Sequence, residues 1–151
     1  MLDRSKAPSK GKIEFAGLPT LQSTSLTSGV KLHSLNAGAQ PVVKIELVFQ
    51  SGGWYEPNKS VSWFAAKMLA EGTASKSAKE ISEGFESLGA FFQIEPGFDE
   101  VAISIYGLKK NFGEVLRLLN EVLHEAAFPE RELEILKSNR ADQIKLNDEK
   151  S

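Results

Sequence analysis

The His and Cys side chains that could hold a metal ion are few in this sequence and lie far apart. The 151 residues include no Cys and two His, His33 and His124. Alternating hydrophobicity places His33 in a strand, and helical periodicity places His124 in the last turn of a helix. A change of register therefore cannot bring the two into one site. We interpret both as structural residues, His124 as one that offsets the dipole at its helix C-terminus.

Lys67 is the other side chain that could take part in catalysis. It is the last residue of a segment, residues 63–67, with the sequence WFAAK. A helix predicted from about Val61 to Ala70 places Trp63 and Lys67 one turn apart on the same face. A catalytic lysine needs a depressed pKa and a partner, and neither is visible in a sequence. We interpret Trp63 as a large apolar residue that fills volume. Lys67 is expected to extend its ammonium to solvent or to pair with a nearby acid.

The residues that flank this segment form a recognisable pattern, with GGWYEP over 52–57 before it and MLAEGT over 68–73 after it. The pattern resembles the insulinase/pitrilysin family of zinc peptidases, in its branch with the mitochondrial processing peptidases. Active members carry His-x-x-Glu-His on a helix, where the two His ligate zinc and the Glu activates water. The resemblance puts Trp63 and Lys67 at the two His positions and Ala66 at the Glu position.

The resemblance covers roughly residues 20 to 151 and continues through SAKEI at 77–81, LGA at 88–90 and FPERELE at 128–134. Family members supply a third ligand, a Glu, from a later helix, and alignment through Phe128-Pro129 puts Gln143 at that position. A neutral amide is a poor zinc ligand. The resemblance therefore implies that all four catalytic positions (Trp63, Ala66, Lys67 and Gln143) are degenerate. We expect no cofactor in this chain, and zinc only in an intact partner.

Local signals predict the elements that position these residues. A hairpin over 21–35 turns at Gly29, and the alternation from Val43 to Phe49 predicts a strand. Ser77-x-x-Glu80 is a capping box for a helix over about 78–88 that Gly89 closes. Strands over about 90–95 and 100–106 meet at Pro96-Gly97.

Two further helices complete the prediction. A helix with strong periodicity carries an apolar stripe that we assign to the core. The stripe consists of Phe112, Val115, Leu116, Leu119, Val122 and Leu123. A polar helix from about Glu130 to Leu146 is expected to carry Leu133, Leu136 and Ile144 on its inner side, with Gln143 near them. The fold class is α+β, an antiparallel-rich mixed sheet with helices packed on one face.

The composition excludes several classes of partner. With 41% hydrophobic and 25% charged residues, the chain has the composition of an ordinary globular domain. A net charge of −2 gives no footprint for nucleic acid, and Lys109-Lys110 is the longest basic run, too short for a membrane patch. No apolar run reaches the length of a membrane span, and no signal peptide is visible. We expect a cytoplasmic protein without a membrane partner.

The composition of the N-terminus and the family resemblance together predict the domain organisation. Residues 1–20 read as an extended leader. Residues 21–151 are expected to form the N-terminal part of an insulinase/pitrilysin-like domain, in a fragment of a longer chain.

Three functions are open. Family halves without the metal motif line a peptide chamber and hold peptides at strand edges. We therefore expect a non-catalytic homologue that supplies a structural or peptide-binding half of a clamshell peptidase. Its partners would be extended peptides and a catalytic family-related subunit or second half, in a hetero- or homo-oligomer. The alternative is a purely structural assembly subunit of a larger complex. The third reading, an active zinc metalloendopeptidase, conflicts with the loss of the ligands.

Overall fold

The computed structural model describes Gly11, Gly17 and residues 19–148 of the chain. The predicted leader lies almost entirely outside the described residues, and the assignment of residues 21–151 to part of a longer domain stays a prediction. The described chain divides after Gln40 into two compact units.

The first unit contains the predicted hairpin. Strand β1 (Gln22–Ser25) pairs antiparallel with β2 (Lys31–Ser34). The turn closes where the N–H of Gly29 donates to the carbonyl of Leu26 at 2.9 Å. Gly29 has a φ of +85°, a conformation that residues with a Cβ rarely adopt. The hairpin prediction is confirmed.

The second unit is built on a three-stranded antiparallel sheet. Its strands are β3 (Val42–Phe49), β4 (Phe91–Pro96) and β5 (Val101–Leu108), in the spatial order β3-β5-β4. The central strand β5 buries alternate residues, with Ile103 and Ile105 both 1% exposed. This alternation identifies the face of the sheet that carries the core.

Four helices accompany the sheet: α1 (Val61–Met68), α2 (Ala78–Ser87), α3 (Phe112–His124) and α4 (Glu130–Asp148). The capping box at the start of α2 is present, and Gly89 after it has a φ of +64°. Residues from α1, α2 and α3 form one hydrophobic cluster with β4 and β5. The α+β arrangement with helices on the sheet is thus confirmed.

The predicted apolar stripe of α3 is wrong at one position. Leu116 is 40% exposed, whereas Leu118, which the prediction left out, is 9% exposed. The buried face therefore runs through Val115, Leu118 and Val122, and Leu116 lies about 100° away from Val115 around the helix. Periodicity alone did not show which side of an amphipathic helix rich in leucine faces the sheet.

The prediction for the inner side of α4 is also wrong in part. Leu133 and Leu136 are half-buried, but Ile144 is 49% exposed. The cause is a difference in length, because 19 residues of α4 span about 28 Å while the eight residues of α1 span about 12 Å. The C-terminal half of α4 therefore extends beyond its neighbour.

Candidate functional site

Helix α1 carries three of the four degenerate positions, and a carboxylate holds its first turn. Ser60, the residue before the helix, makes no side-chain cap and has a φ of 71°. Instead the carboxylate of Glu56 accepts the backbone N–H of Ser60 at 2.6 Å and that of Ser62 at 3.0 Å. A negative charge at a helix N-terminus satisfies free N–H groups and complements the dipole. This fixes the orientation of the helix that presents Trp63.

Trp63 is a packed aromatic residue. It is half-buried, and its ring meets that of Phe64 edge-on at a centroid separation of 5.0 Å. The indole also contacts α4, where the guanidinium of Arg140 lies 4.8 Å from the indole centroid. A cation over an aromatic face is attracted by the negative charge of the π-system. Trp63 therefore joins α1 to α4.

Lys67, one turn after Trp63, joins α1 to the sheet. Its Nζ donates to the backbone carbonyl of Ile94 in β4 at 2.8 Å. The sequence predicted an acid or solvent as the partner of this lysine. The structure shows a backbone carbonyl on an edge strand instead, because α1 packs directly against β4.

Arg140 is a site residue that the sequence analysis missed. It is half-buried, and its Nε is buried with no hydrogen-bond partner among the described residues. A buried donor without an acceptor costs about 1 to 3 kcal/mol. No motif marked this residue, since a single Arg in a polar helix is not distinguishable from a solvent-exposed one.

Gln143 lies on α4, three residues beyond Arg140, and is exposed. It therefore lies one turn beyond Arg140 on the same helix. Arg140 is the residue that faces Trp63. Its assignment to the third ligand position stays a prediction.

Ala66 is only 4% exposed and lies on a neighbouring side of α1. There it lines an apolar cleft of about 300 Å³ with Phe49, Leu69, Leu123 and Phe128. The position that the resemblance aligns with the catalytic Glu thus faces an apolar environment. A methyl group fits there without an unpaired polar atom.

Acidic groups gather at the opposite end of the α1–α4 contact. Burial raises the pKa of Glu71, and the negative charge of Glu132 raises it further, while the charge of Lys67 acts in the opposite direction. Glu71 follows Lys67 by one turn. Lys67 therefore lies between the Trp63–Arg140 contact and the two acids.

The two histidines take part in local contacts. The Nδ1 of His33 lies 2.8 Å from the hydroxyl of Ser23, and the Nδ1 of His124 lies 2.9 Å from the carbonyl of Asn120. Across residues 19–148 and the two described glycines, no three His, Cys, Asp or Glu side chains are grouped to hold a metal ion.

A polar network between α3 and the segment after α1 was not predicted. The carboxylate of Glu121 accepts from Lys76 at 2.6 and 2.7 Å, from Thr73 at 2.9 Å and from Ser75 at 2.7 Å. These donors, led by Lys76, lower the pKa of Glu121 to about 2. The partners are 45 to 48 residues apart in the chain, so no local pattern could pair them.

Comparison with known proteins decides the family. The sequence pattern described as Insulinase (Peptidase family M16) matches residues 32–151 of the chain. The chain belongs to the insulinase family. The resemblance inferred from the flanking motifs is therefore confirmed.

Two curated relatives of this insulinase-family chain come from Rickettsia bellii (strain RML369-C) and Rickettsia felis (strain ATCC VR-1525 / URRWXCal2). Each is named an uncharacterized zinc protease and is 26% identical over 112 residues. The match covers 73% of this chain but 27% of each relative.

Two solved structures share the fold. One is the crystal structure of a peptidase M16 inactive domain from Pseudomonas fluorescens, with 30% identity and a TM-score of 0.76. It is matched over 79% of this chain and 30% of its own length. The other, a protease from Helicobacter pylori, is 18% identical with a TM-score of 0.68, over 77% of this chain and 29% of its own. At that identity the second likeness shows the fold alone.

The chemistry open to this insulinase-family site differs from that of a zinc centre. At the four positions that the resemblance aligns with the catalytic residues, the chain presents an indole, a methyl group, an ammonium and an amide. These groups can pack and donate hydrogen bonds, and the ammonium already donates one to a strand carbonyl.

Within the described residues, no helix is both long and apolar enough to cross a membrane.

Proposed function

We propose that this chain supplies a non-catalytic half of a two-part peptidase and helps to enclose and hold an extended peptide. The observation that carries the proposal is the engagement of the side chains at the zinc positions. Lys67 holds the carbonyl of Ile94, and the ring of Trp63 packs against Arg140. A catalytic zinc site needs three protein ligands and an open position for water. The Pseudomonas fluorescens structure, described as an inactive M16 domain, supports the same assignment.

Two features of the second unit support a role in holding peptides. Within the described part of the chain, β3 and β4 are the outer strands of the sheet. An extended peptide that adds to a strand edge uses backbone hydrogen bonds and needs no particular side chain. The apolar cleft of about 300 Å³ begins at Phe49, the last residue of β3. It offers space for an apolar side chain of a bound peptide.

The catalytic chemistry must then come from another part of the assembly. The chain spans 27% to 30% of the length of the relatives described above. The proposed partner is a family-related subunit, or a second half of the full-length chain, that carries an intact His-x-x-Glu-His. The two halves would close around the peptide as a heteromeric clamshell.

Co-expression with such a relative tests this function. We expect the two proteins to elute together from a size-exclusion column. They should cleave a quenched peptide faster than the relative does alone, and a chelator should abolish the activity. If the relative is fully active alone and the two never elute together, a purely structural assembly role explains the retained fold better.

Elemental analysis tests the loss of the metal site. After dialysis we expect no stoichiometric zinc in the purified chain, because the aligned positions offer no zinc ligand. One tightly held zinc per chain, released by mutation at Trp63 or Lys67, would contradict the proposal and favour an active metallopeptidase.

Restoring the ligands tests the alignment. Trp63→His, Lys67→His and Gln143→Glu together should create measurable zinc affinity, since two His one turn apart and a Glu form a zinc ligand set. Ala66→Glu is added in a second variant, because Ala66 is 4% exposed and a carboxylate there must find room. A folded triple variant without zinc binding in calorimetry would contradict the assignment of Gln143.

A further inference from the structure

Two cations with donors to spare are neighbours of Trp63, Arg140 from α4 and Lys67 one turn along α1. Lys67 is half-buried, and its ammonium donates one hydrogen bond to the carbonyl of Ile94. An ammonium can donate three. Arg140 is half-buried, and its buried Nε has no acceptor among the described residues. The ion pairs within that part of the chain involve other side chains. Neither Lys67 nor Arg140 therefore forms an ion pair in that part of the chain, although Lys67 lies close enough to Glu71 for its charge to oppose the burial that raises the pKa of that acid.

Trp63 connects the two cations. Trp63 and Lys67 are four residues apart on α1, so their Cβ atoms are neighbours on the same face, about 5 to 6 Å apart. The guanidinium of Arg140 lies 4.8 Å from the indole centroid of Trp63. The indole is thus flanked by Arg140 on one contact and by Lys67 one turn along the helix. The edge strand β4 adjoins this surface through Ile94.

Two acids lie toward the other end of the contact, Glu71 just beyond the C-terminus of α1 and Glu132 in the first turn of α4. Glu71 follows Lys67 by four residues, and Glu132 precedes Arg140 by eight, about two turns of α4. The negative charge of Glu132 acts on Glu71. The two carboxylates thus lie close enough to each other to interact electrostatically, at the opposite end from Trp63 and Arg140.

The free donors match one ligand chemistry. The two terminal amino groups of an arginine form a fork that fits the two oxygens of a carboxylate. An ammonium beside it adds charge, and an indole supplies a flat apolar wall. We propose that the surface of Trp63, Lys67 and Arg140 binds a carboxylate of the peptide, either an acidic side chain or a free C-terminus. This inference rests on the proposed peptide-holding function and names its substrate class.

The experiment uses the indole at the site as its own probe. The chain has two Trp, so Trp54→Phe leaves Trp63 as the single tryptophan. Three probes are titrated against its fluorescence: a pentapeptide with uncharged side chains and a free C-terminus, the same peptide with a C-terminal amide, and the amide with one internal Asp. We expect the first or the third to bind at least about tenfold more tightly than the plain amide, since hydrogen bonds to charged groups contribute about 1.5 to 3 kcal/mol. Whichever binds more tightly identifies the source of the carboxylate.

Variants in the Trp54→Phe background assign the effect to residues. Arg140→Gln and Lys67→Met should each remove about tenfold of the preference for the charged peptide while leaving the amide unchanged. Arg140→Lys keeps the charge without the fork and should lie between. Arg131→Gln is the matched control, an exposed arginine on the same helix, and should change nothing. Circular dichroism verifies that each variant is folded, and Arg140→Lys gives the test if Arg140→Gln does not fold.

The outcomes separate this inference from the proposed function. Equal binding of all three peptides, unaffected by Arg140→Gln, overturns the carboxylate site but leaves peptide holding intact. A fourth titration with sodium acetate covers the converse case. Acetate quenching of Trp63 that depends on Arg140, without binding of any peptide, supports the carboxylate site and contradicts peptide holding. No response to any of the four probes overturns both.

Discussion

Two lysines of this chain, nine residues apart, lie in opposite environments. Lys76 meets both oxygens of Glu121, at 2.6 and 2.7 Å, in a network completed by Thr73 and Ser75. Lys67 meets a backbone carbonyl, and Arg140 near it has a buried Nε without an acceptor among the described residues. The first region, the Glu121 network, has matched charges. The second, the Trp63 face, has an excess of donors.

The difference separates scaffold from site. A satisfied network of this kind holds α3 to the segment that follows α1, and its groups have partners within the chain. A donor without an acceptor raises the free energy of the unbound protein, and a ligand that supplies the acceptor removes this penalty. We therefore expect substitutions in the Glu121 network to affect stability, and substitutions on the Trp63 face to affect binding as well.

Glu121→Ala should produce the largest loss of stability, about 3 kcal/mol, because it leaves Lys76 and the hydroxyls of Thr73 and Ser75 without their acceptor. Urea unfolding followed by circular dichroism measures it. Glu114→Ala on the exposed side of the same helix is the control, with a change of about 0.5 kcal/mol. Equal effects of the two variants would remove the distinction between the network and an ordinary surface acid.

Acid should weaken the Glu121 network in a defined range. The pKa of Glu121 is lowered from 4.5 to about 2 in the folded chain, chiefly by Lys76. Its contribution is therefore complete above pH 4.5 and is lost as the pH falls toward 2. We expect the free energy of unfolding to fall by about 2 kcal/mol over this range. This is less than the full pKa shift implies, because the Glu121 side chain is 18% exposed and partly screened by solvent.

Unfolding curves between pH 5 and 2 measure this loss, with Glu121→Gln as the reference that does not titrate. The variant should retain a smaller acid dependence, since hydrogen bonds also lower the pKa values of Glu46 and Glu80. Identical slopes for the two proteins would show that Glu121 has no special role in acid stability.

Trp63→Ala should cost about 1.5 kcal/mol, less than the 3 to 5 kcal/mol of a fully buried aromatic residue, because Trp63 is half-buried. Trp54→Ala is the matched control, since Trp54 is 69% exposed. Its loss should stay below about 0.5 kcal/mol. A larger effect at Trp54 than at Trp63 would mean that the indole over Arg140 is not a packing contact.

Ser77→Ala should destabilise by about 1 kcal/mol, the usual value for an N-cap. The hydroxyl of Ser77 accepts the N–H of Glu80, and the Glu80 carboxylate accepts the N–H of Ser77 at 2.8 Å. Ser82→Ala inside the same helix is the control and should be neutral or slightly stabilising, because Ala has the higher helix propensity. Thermal unfolding compares the two, and a neutral Ser77→Ala would show that the capping box adds nothing to the scaffold.

The sequence by itself determined the local features. The Ser77 capping box, the closing Gly89 and the hairpin turn at Gly29 were all predicted and found. Each involves partners within about five residues, where the backbone geometry of a short segment restricts the choice. The flanking motifs also sufficed for the family, since they lie in one continuous stretch around residue 63.

Only the tertiary structure decided which residues meet at the site. Lys67 and Ile94 are 27 residues apart, and Trp63 and Arg140 come from different helices. The side of α3 that faces the sheet, and the point at which α4 extends past α1, also depend on how elements of unequal length pack. Hydrophobic periodicity gives the orientation of a helix only to within about one residue position, or 100°. The unpaired Nε–H of Arg140 therefore became visible only when the fold placed the guanidinium beside the indole of Trp63.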